Sequence, residues 1–179
     1  MTYPDPRYFG DTGEVNATFR PADTEPELGT SGGNRTHYLA TGGHPRTESG
    51  GASTGGEFGL YRLDMAPRSP GPDTHFHKTI SESFFVLSGE VRLFDGDRWV
   101  TAREGDFLYV PVGGLHAFRN ESDEPSSMLL LFSPGAPREE YFERIGEMAR
   151  RGGEEFTEFL LRHDSYFLDP DKGPAPRQR

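Results

Sequence analysis

Three histidines and one glutamate stand in two short blocks whose spacing is typical of a metal site. The first block contains His75, His77 and Glu82, and the second contains His116. Residues at positions i and i+2 of a β-strand point to the same face, so His75 and His77 can present both imidazoles to one ion. Three neutral imidazoles and one carboxylate form an N3O ligand set that divalent transition metals accept. The sequence therefore predicts a metal centre built from these four side chains.

The predicted ligand set does not select one metal. Nitrogen and oxygen ligands suit Fe, Ni, Mn, Co, Cu or Zn, so we expect one divalent transition metal of unspecified identity per chain. Three neutral histidines and one carboxylate leave a 2+ ion with a net charge of about +1, and open coordination positions distinguish catalytic from structural metal sites. Catalysis is one reading of this site. An ion that only supports folding, or that holds a small ligand, is the other.

Glu82 has two possible roles at such a site. It can bind the metal permanently, or it can leave the ion and act as a general base, for which a carboxylate beside a cation is suited. The two roles can be combined, so Glu82 is both a predicted ligand and the candidate catalytic residue. Asp73 and Thr74 flank the ligands and could orient them.

The elements that must position these residues are predominantly β. Between residues 57 and 133, short alternating apolar stretches follow one another at close spacing. Asp95-Gly96 between two such stretches is a strong hairpin signal. Short strands at this spacing predict a sandwich or a barrel that can enclose the ligands.

After residue 135 the apolar period changes from two to that of a helix. Tyr141, Ile145 and Met148 form a stripe at i, i+4 and i+7, and Pro137 suits the first turn of a helix. A second short helix is expected to carry Phe156 and Phe159. We therefore expect one or two helices packing on the β-structure.

Apolar residues next to the predicted ligands are candidates for a substrate pocket. If Glu82 and His116 face inward, the period of two places Phe84 and Phe118 on the same side. The full set of candidate substrate-binding residues is Tyr61, Phe84, Phe118, Met128 and Phe132. A pocket with such walls would suit a flat apolar or aromatic molecule. The alternative is that these residues are simply the core of the barrel.

Composition limits the classes of partner. The chain has 179 residues, which favours one domain, and a formal net charge of −10 with only two lysines. That charge argues against nucleic acid or an anionic membrane as partners. The absence of cysteine excludes disulfides, thiolate metal sites and cysteine nucleophiles. No apolar stretch resembles a signal peptide or a membrane span, so a cytoplasmic protein is expected.

The two blocks resemble the motifs of the cupin superfamily. The second block matches the second cupin motif at Gly105, Pro111, Gly113, His116 and Asn120. The first block matches at His75, His77, Glu82 and Gly89. Its leading glycine, Gly71, departs from the pattern because it stands closer to His75 than the family places it. The resemblance extends over about residues 57 to 133.

Membership of this superfamily implies an all-β fold, the double-stranded β-helix or jelly-roll cupin barrel, with a metal inside. An extended N-terminal arm and one or two C-terminal helices would flank it. The expected division of the chain is an arm over residues 1–35, a cupin barrel over 36–135, C-terminal helices over 136–168 and a disordered tail over 169–179.

Within the cupins the chain resembles the single-domain, quercetinase-like monocupins, which are metal-dependent dioxygenases. The segments that carry this likeness are residues 54–58, 82–91, 110–120 and 131–135. The resemblance implies an oxygenase that adds O2 to an enolisable aromatic, flavonol-like or polyketide-like substrate, with Glu82 taking or holding the proton. It also implies a homodimer, for which the spare apolar face of Phe85 and Leu87 is a candidate surface.

Two alternatives to an oxygenase stay open at this point. One is a non-oxidative cupin, such as a cyclase or an isomerase, and the other is a non-catalytic cupin that binds a small ligand. An isomerase of phosphosugars would need basic residues in the pocket. Arg62 and Arg119 alternate with Tyr61 and Phe118, so we expect both arginines to face away from it.

Overall fold

A computed structural model describes residues 2–43 and 52–168 of the chain. The strands in these ranges are β1 (Leu28–Gly29), β2 (Arg35–Thr41), β3 (Ala52–Ser53), β4 (Gly59–Met65), β5 (His75–Phe76), β6 (Ser81–Ser88), β7 (Glu90–Phe94), β8 (Trp99–Arg103), β9 (Phe107–Val110), β10 (Ala117–Arg119), β11 (Ser126–Ser133) and β12 (Tyr166–Phe167). The helices are α1 (Glu139–Arg151) and α2 (Gly153–Arg162).

The strands form two principal sheets and one small pair. The larger sheet has the order β1-β2-β4-β11-β6-β9, with β3 beside β2, and the smaller one has the order β10-β7-β8. The strand β12 pairs with β5. Every pairing is antiparallel except the one between β2 and β3. The expected all-β fold with two C-terminal helices is confirmed.

The core lies between the two principal sheets because alternate side chains of their strands point inward. In β11, Met128, Leu130 and Phe132 are buried, whereas Leu129 and Leu131 are only partly buried. Buried residues of the larger sheet meet Val91 and Leu93 of β7 in a single apolar cluster. The candidate site lies next to this apolar cluster.

The hairpin between β7 and β8 forms where the sequence predicts it. Gly96 has a φ of +92°, a conformation that glycine adopts without a steric penalty. The carboxylate of Asp95 accepts hydrogen bonds from the backbone N–H groups of Asp97 and Arg98, both at 2.9 Å. The turn thus sets the register in which β7 pairs with β8.

Helix α1 begins two residues later than the sequence suggests. Pro137 lies before the helix, and Arg138 occupies the N-cap position with Glu139 as the first helical residue. The helix ends at Arg151, and the φ of +64° at Gly152 interrupts the helical path, so α2 starts as a separate element. The buried residues Tyr141, Met148 and Phe159 form the apolar cluster that joins the two helices.

The remaining expectations concern the two ends of the chain. Residues 2–19 have exposed side chains, and β1 places Leu28 and Gly29 beside β2. The tail expected over residues 169–179 lies outside the described residues, and the division of the chain into four segments stays a prediction. Within residues 2–43 and 52–168, neither helix has the length and apolarity needed to cross a membrane.

Candidate metal centre

Backbone pairing brings the two sequence blocks together. His75 and His116 exchange hydrogen bonds between their N–H and carbonyl groups, each at 3.0 Å, in an isolated antiparallel bridge. The N–H of Gly113 also donates to the carbonyl of His77 at 2.7 Å. Glu82 lies in β6 with Phe132 of β11 beside it, so its position is fixed by the centre of the larger sheet. The four predicted ligands therefore converge.

The four side chains form one compact and buried group, which we call the His/Glu cluster. Its members are His75, His77, Glu82 and His116, and each offers one ligand atom within 4.8 Å of the others. The Oε2 atom of Glu82 lies 2.8 Å from Nε2 of His116 and 3.2 Å from Nε2 of His77. None of the four is more than 4% exposed, so water does not surround the ligand atoms.

Hydrogen bonds on the far side of each ring fix the histidine tautomers. The Nδ1 atoms of His75, His77 and His116 lie 2.9, 2.5 and 3.0 Å from the backbone carbonyl oxygens of Asp73, Asp164 and Gly114. A carbonyl oxygen can only accept, so each Nδ1 donates, and a neutral ring then carries its lone pair on Nε2. Three imidazole lone pairs and one carboxylate are thus gathered in one place, which fits a divalent transition metal.

The atoms that would bind a metal also control the protonation states of the cluster. Burial, together with the nearby His116, lowers the pKa of His75 to about 3, so this ring is neutral near pH 7. Burial alone would raise the pKa of Glu82, but hydrogen bonds with His116 and His77 hold the pKa of this carboxyl below its usual range. Burial lowers the pKa of His116, whereas its bond to Glu82 raises that pKa above the ordinary value. Protons and a metal ion therefore compete for the same lone pairs.

The segment after α2 supports the cluster from outside the barrel. The carbonyl of Asp164 accepts from His77, and the carboxylate of Asp164 accepts from the N–H groups of Lys78 and Thr79 at 2.9 Å. Phe167 in β12 stacks on His75, with ring centres 5.0 Å apart. Asp164 tolerates its φ of +53°, as Asp residues do more readily than most.

Sequence reasoning missed this support. It singled out Asp73 and Thr74, which do contribute, but through their backbone carbonyls: Asp73 accepts from His75, and Thr74 accepts from the N–H of Leu168. Nothing in the local pattern around Asp164 indicates a contact with residues almost ninety positions earlier.

A cavity of about 300 Å³ adjoins the His/Glu cluster, and both His75 and Glu82 line it. Two of the five candidate substrate-binding residues, Phe118 and Phe132, also line this cavity. The other three, Tyr61, Phe84 and Met128, are fully buried in the core and do not line it. Their proposed role in substrate binding stays a prediction.

Residues 61–132 match the family model described as Cupin domain. This part of the chain is therefore similar to cupin domains. Its fold is also that of a solved structure, an RmlC-like cupin from Shewanella frigidimarina, with a TM-score of 0.52 and 18% sequence identity. The superposition covers 70% of this chain and 96% of that one. At this identity the likeness concerns the fold alone.

Two curated relatives resemble parts of the chain in sequence. The chain is 26% identical to the quercetin 2,3-dioxygenase of Bacillus subtilis (strain 168) over 95 residues, which are 53% of this chain and 27% of that protein. It is 37% identical over 60 residues to an uncharacterized protein of Aquifex aeolicus (strain VF5), which are 34% of this chain and 49% of that protein. The chain thus aligns with about a quarter and about half of their lengths.

Gly71, the residue that departs from the cupin motif, is required by close packing of the backbone. A Cβ atom at this position would lie 1.7 Å from the carbonyl oxygen of Phe118, which is far inside van der Waals contact. Gly71 also lines the cavity. The glycine thus allows the backbone before His75 to pass close to β10.

The cavity beside the His/Glu cluster is lined by an arginine that the sequence did not reveal. Arg62 pairs with Asp64 and Arg119 lies over the ring of Trp99, so neither lines the cavity, as expected. Arg138, just before α1, does line it and is 3% exposed. In sequence it reads only as a residue near a helix start.

Proposed function

We propose that the protein is a metal-dependent oxygenase that binds an enolisable aromatic molecule beside the His/Glu cluster and adds O2 to it. The cluster would hold one divalent transition metal, whose identity among Fe, Ni, Mn, Co, Cu and Zn the ligand set does not select. The observation that carries the proposal is the cavity: it reaches His75 and Glu82, and aromatic side chains form part of its wall. The similarity to a quercetin 2,3-dioxygenase supports the same activity.

The side chains of the cluster would hold the ion through His75, His77, His116 and Glu82. A bound divalent transition metal would supply Lewis acidity toward the enol oxygen of a substrate, and a redox-active ion would in addition supply electron-transfer chemistry toward O2. The backbone carbonyls that accept from the three Nδ1 atoms would keep the Nε2 lone pairs aimed at the ion.

Glu82 is the residue suited to proton transfer. It lines the cavity, and a carboxylate beside a bound cation is suited to accept the enol proton. Burial of the carboxylate at 4% exposure limits exchange with bulk water. A proton taken from the substrate would stay near the reacting carbon skeleton.

The apolar wall would position the aromatic body of the substrate. Phe118, Phe132 and Phe142 line the cavity, and aromatic rings pack on one another with favourable edge-to-face or offset geometry. A volume of about 300 Å³ is at the lower end of the range for small-molecule sites. These walls would also exclude water from the reaction.

Oxygen consumption tests the proposal directly. Protein loaded separately with each of the six metals is given a panel of enolisable aromatic compounds, including a flavonol, in an oxygen-electrode cell under air. We expect uptake of O2 that depends on both the metal and the compound. Glu82→Gln should lower the rate by about 100-fold, as expected for loss of a general base.

The matched control is Glu90→Gln, which removes a partly exposed carboxylate that pairs with Arg103 on the surface. This variant should consume O2 at the rate of the unmodified protein. Absence of uptake for every compound with every metal would contradict the oxygenase and favour a cupin that only binds a small ligand.

A further inference from the structure

The cavity beside the His/Glu cluster is also lined by a guanidinium group. Arg138 is 3% exposed, and its Cζ atom lies 4.1 Å from the ring centre of Tyr141 and 5.2 Å from that of Phe132. Both rings line the same cavity. Among the described residues of the cavity wall, Arg138 is the only arginine or lysine. A buried positive charge thus faces a largely apolar space.

Neutral groups hold this guanidinium in place. Its Nη1 atom donates to the carbonyl of His163 at 2.6 Å and to Oγ of Ser165 at 3.3 Å. Its Nε–H has no acceptor within residues 2–43 and 52–168. A buried charge in a folded protein is normally paired with an opposite charge.

The carboxylates next to Arg138 in the chain have other partners. Oε1 of Glu139 accepts from the hydroxyl of Tyr61 at 2.6 Å. Glu140 pairs with Arg144 at 2.8 Å on the outer side of α1. Arg138 makes none of the ion pairs found in the described part of the chain, so its charge is available to a ligand.

The charge of the whole cavity favours an anion. The His/Glu cluster with a 2+ ion would carry about +1, and Arg138 adds a second positive charge to walls of low polarity. The planar fork of a guanidinium matches the two oxygens of a carboxylate. A sugar phosphate fits less well, because Phe132, Phe142 and Ile145 in the same wall offer no hydrogen bonds to its hydroxyls.

We propose that Arg138 binds the carboxylate of an aromatic carboxylic acid whose remaining part lies in the cavity beside the His/Glu cluster. This inference rests on the proposed function, because it names the class of substrate that the same cavity would take. It adds a requirement that neither the cluster nor the aromatic wall imposes, namely a negative charge on the substrate.

Calorimetric binding to the metal-loaded full chain tests the inference with two probes of nearly equal size. The probes are 3-phenylpropanoate and the neutral 3-phenylpropan-1-ol. The unmodified protein should bind the acid about 10- to 100-fold more tightly than the alcohol, as expected for a charged hydrogen-bonded pair. Arg138→Met should abolish this preference while the affinity for the alcohol and the metal content stay the same.

Two further variants make the result decisive. Arg138→Lys keeps the charge but loses the planar fork, so it should retain a smaller preference for the acid, and it replaces Arg138→Met if the loss of the bonds to His163 and Ser165 prevents folding. The matched control is Arg119→Met, which removes an arginine that lies over Trp99 away from the cavity. This control should leave the preference unchanged.

Two outcomes would overturn the inference. One is equal affinity of the unmodified protein for the acid and the alcohol. The other is a preference of undiminished size in every Arg138 variant that folds, because the acid would then be binding the metal rather than the guanidinium. Both results are independent of O2 uptake. Conversely, an intact Arg138-dependent preference without any O2 uptake would contradict the oxygenase and leave the carboxylate site standing.

Discussion

The cavity is lined by two groups of opposite chemistry that come from different parts of the chain. His75 and Glu82 present acceptor atoms and belong to the β-structure, whereas Arg138 presents donors and belongs to the segment that follows β11. The acceptors are satisfied by a cation and the donors by an anion. The difference indicates that one cavity has to accommodate two ligands, an ion and a negatively charged organic molecule.

Residues 163–165 join the two groups. The carbonyl of Asp164 holds His77, while the carbonyl of His163 and the hydroxyl of Ser165 hold Arg138. A single turn after α2 therefore orients a cluster ligand and the guanidinium at the same time. Variants in the His/Glu cluster, in this turn and in the core should show how much each of them contributes to metal binding, ligand binding and stability.

The largest effect is expected from His116→Ala. Removal of a ligand should weaken metal binding by more than about 100-fold, because even the loss of an outer hydrogen-bonding partner costs 10- to 100-fold. A metal titration by calorimetry measures the affinity. The unmodified protein should also gain about 3 kcal/mol of unfolding free energy when the metal is present at 100 times its dissociation constant, and His116→Ala should not.

The matched control for this variant is His37→Gln, which changes a buried histidine that pairs with Asp64 outside the cluster and should retain the metal. If His75→Ala and His116→Ala both kept an unchanged metal content, the four-ligand assignment would be wrong.

A smaller effect, on the His/Glu cluster and on Arg138 together, is expected from Asp164→Ala. The variant loses the bonds to the backbone of Lys78 and to both the backbone and hydroxyl of Thr79, and alanine resists a φ of +53°. We expect a loss of about 2 kcal/mol of unfolding free energy and about 10-fold weaker metal binding. Asp164→Asn, which tolerates the same backbone conformation, should fall between Asp164→Ala and the unmodified protein. Identical metal affinity in all three proteins would show that the turn does not orient His77.

Tyr61→Phe should affect stability and leave both groups of the cavity intact. The hydroxyl of Tyr61 donates to the buried carboxylate of Glu139 at 2.6 Å, and its removal should cost about 1 to 3 kcal/mol in chemical denaturation. Metal content and ligand affinity should not change, because Tyr61 does not line the cavity. Loss of ligand affinity in this variant would place Tyr61 in the pocket, as the alternation of its strand predicts.

The smallest effect on the cavity is expected from Phe107→Ser on the outer face of the larger sheet. Phe107 is 62% exposed and pairs with Phe85 across β9 and β6. If this face is the interface of a homodimer, the variant should shift the molecular mass measured by light scattering toward the monomer. Its metal content should equal that of the unmodified protein. A monomeric unmodified protein would contradict the homodimer.

The His/Glu cluster could be predicted from the sequence because three of its four ligands stand close together in the chain. His75 and His77 share a strand face by their spacing, and Glu82 follows within one short turn. Only the approach of His116 needed a long-range contact, the backbone bridge to His75. The strands were also predictable, because period-two alternation survives wherever one face of a sheet is buried.

Arg138 and Asp164 were not predictable from their surroundings. Each acts through contacts with residues far away in the chain, and each reads locally as a residue at the end of a helix. The alternation of side chains along a strand also predicts the face to which a side chain points, but not how deeply that side chain is buried. It places Phe84 and Phe118 on the same side, yet Phe84 is fully buried whereas Phe118 reaches the cavity.

Metal content is the most direct test of the account. Elemental analysis of the full chain, first purified without added metal and then reconstituted with each of the six candidate ions and dialysed, measures the stoichiometry at the His/Glu cluster. We expect the protein to retain close to one ion per chain for at least one of the six metals. A protein that retains only trace amounts of every ion would contradict it.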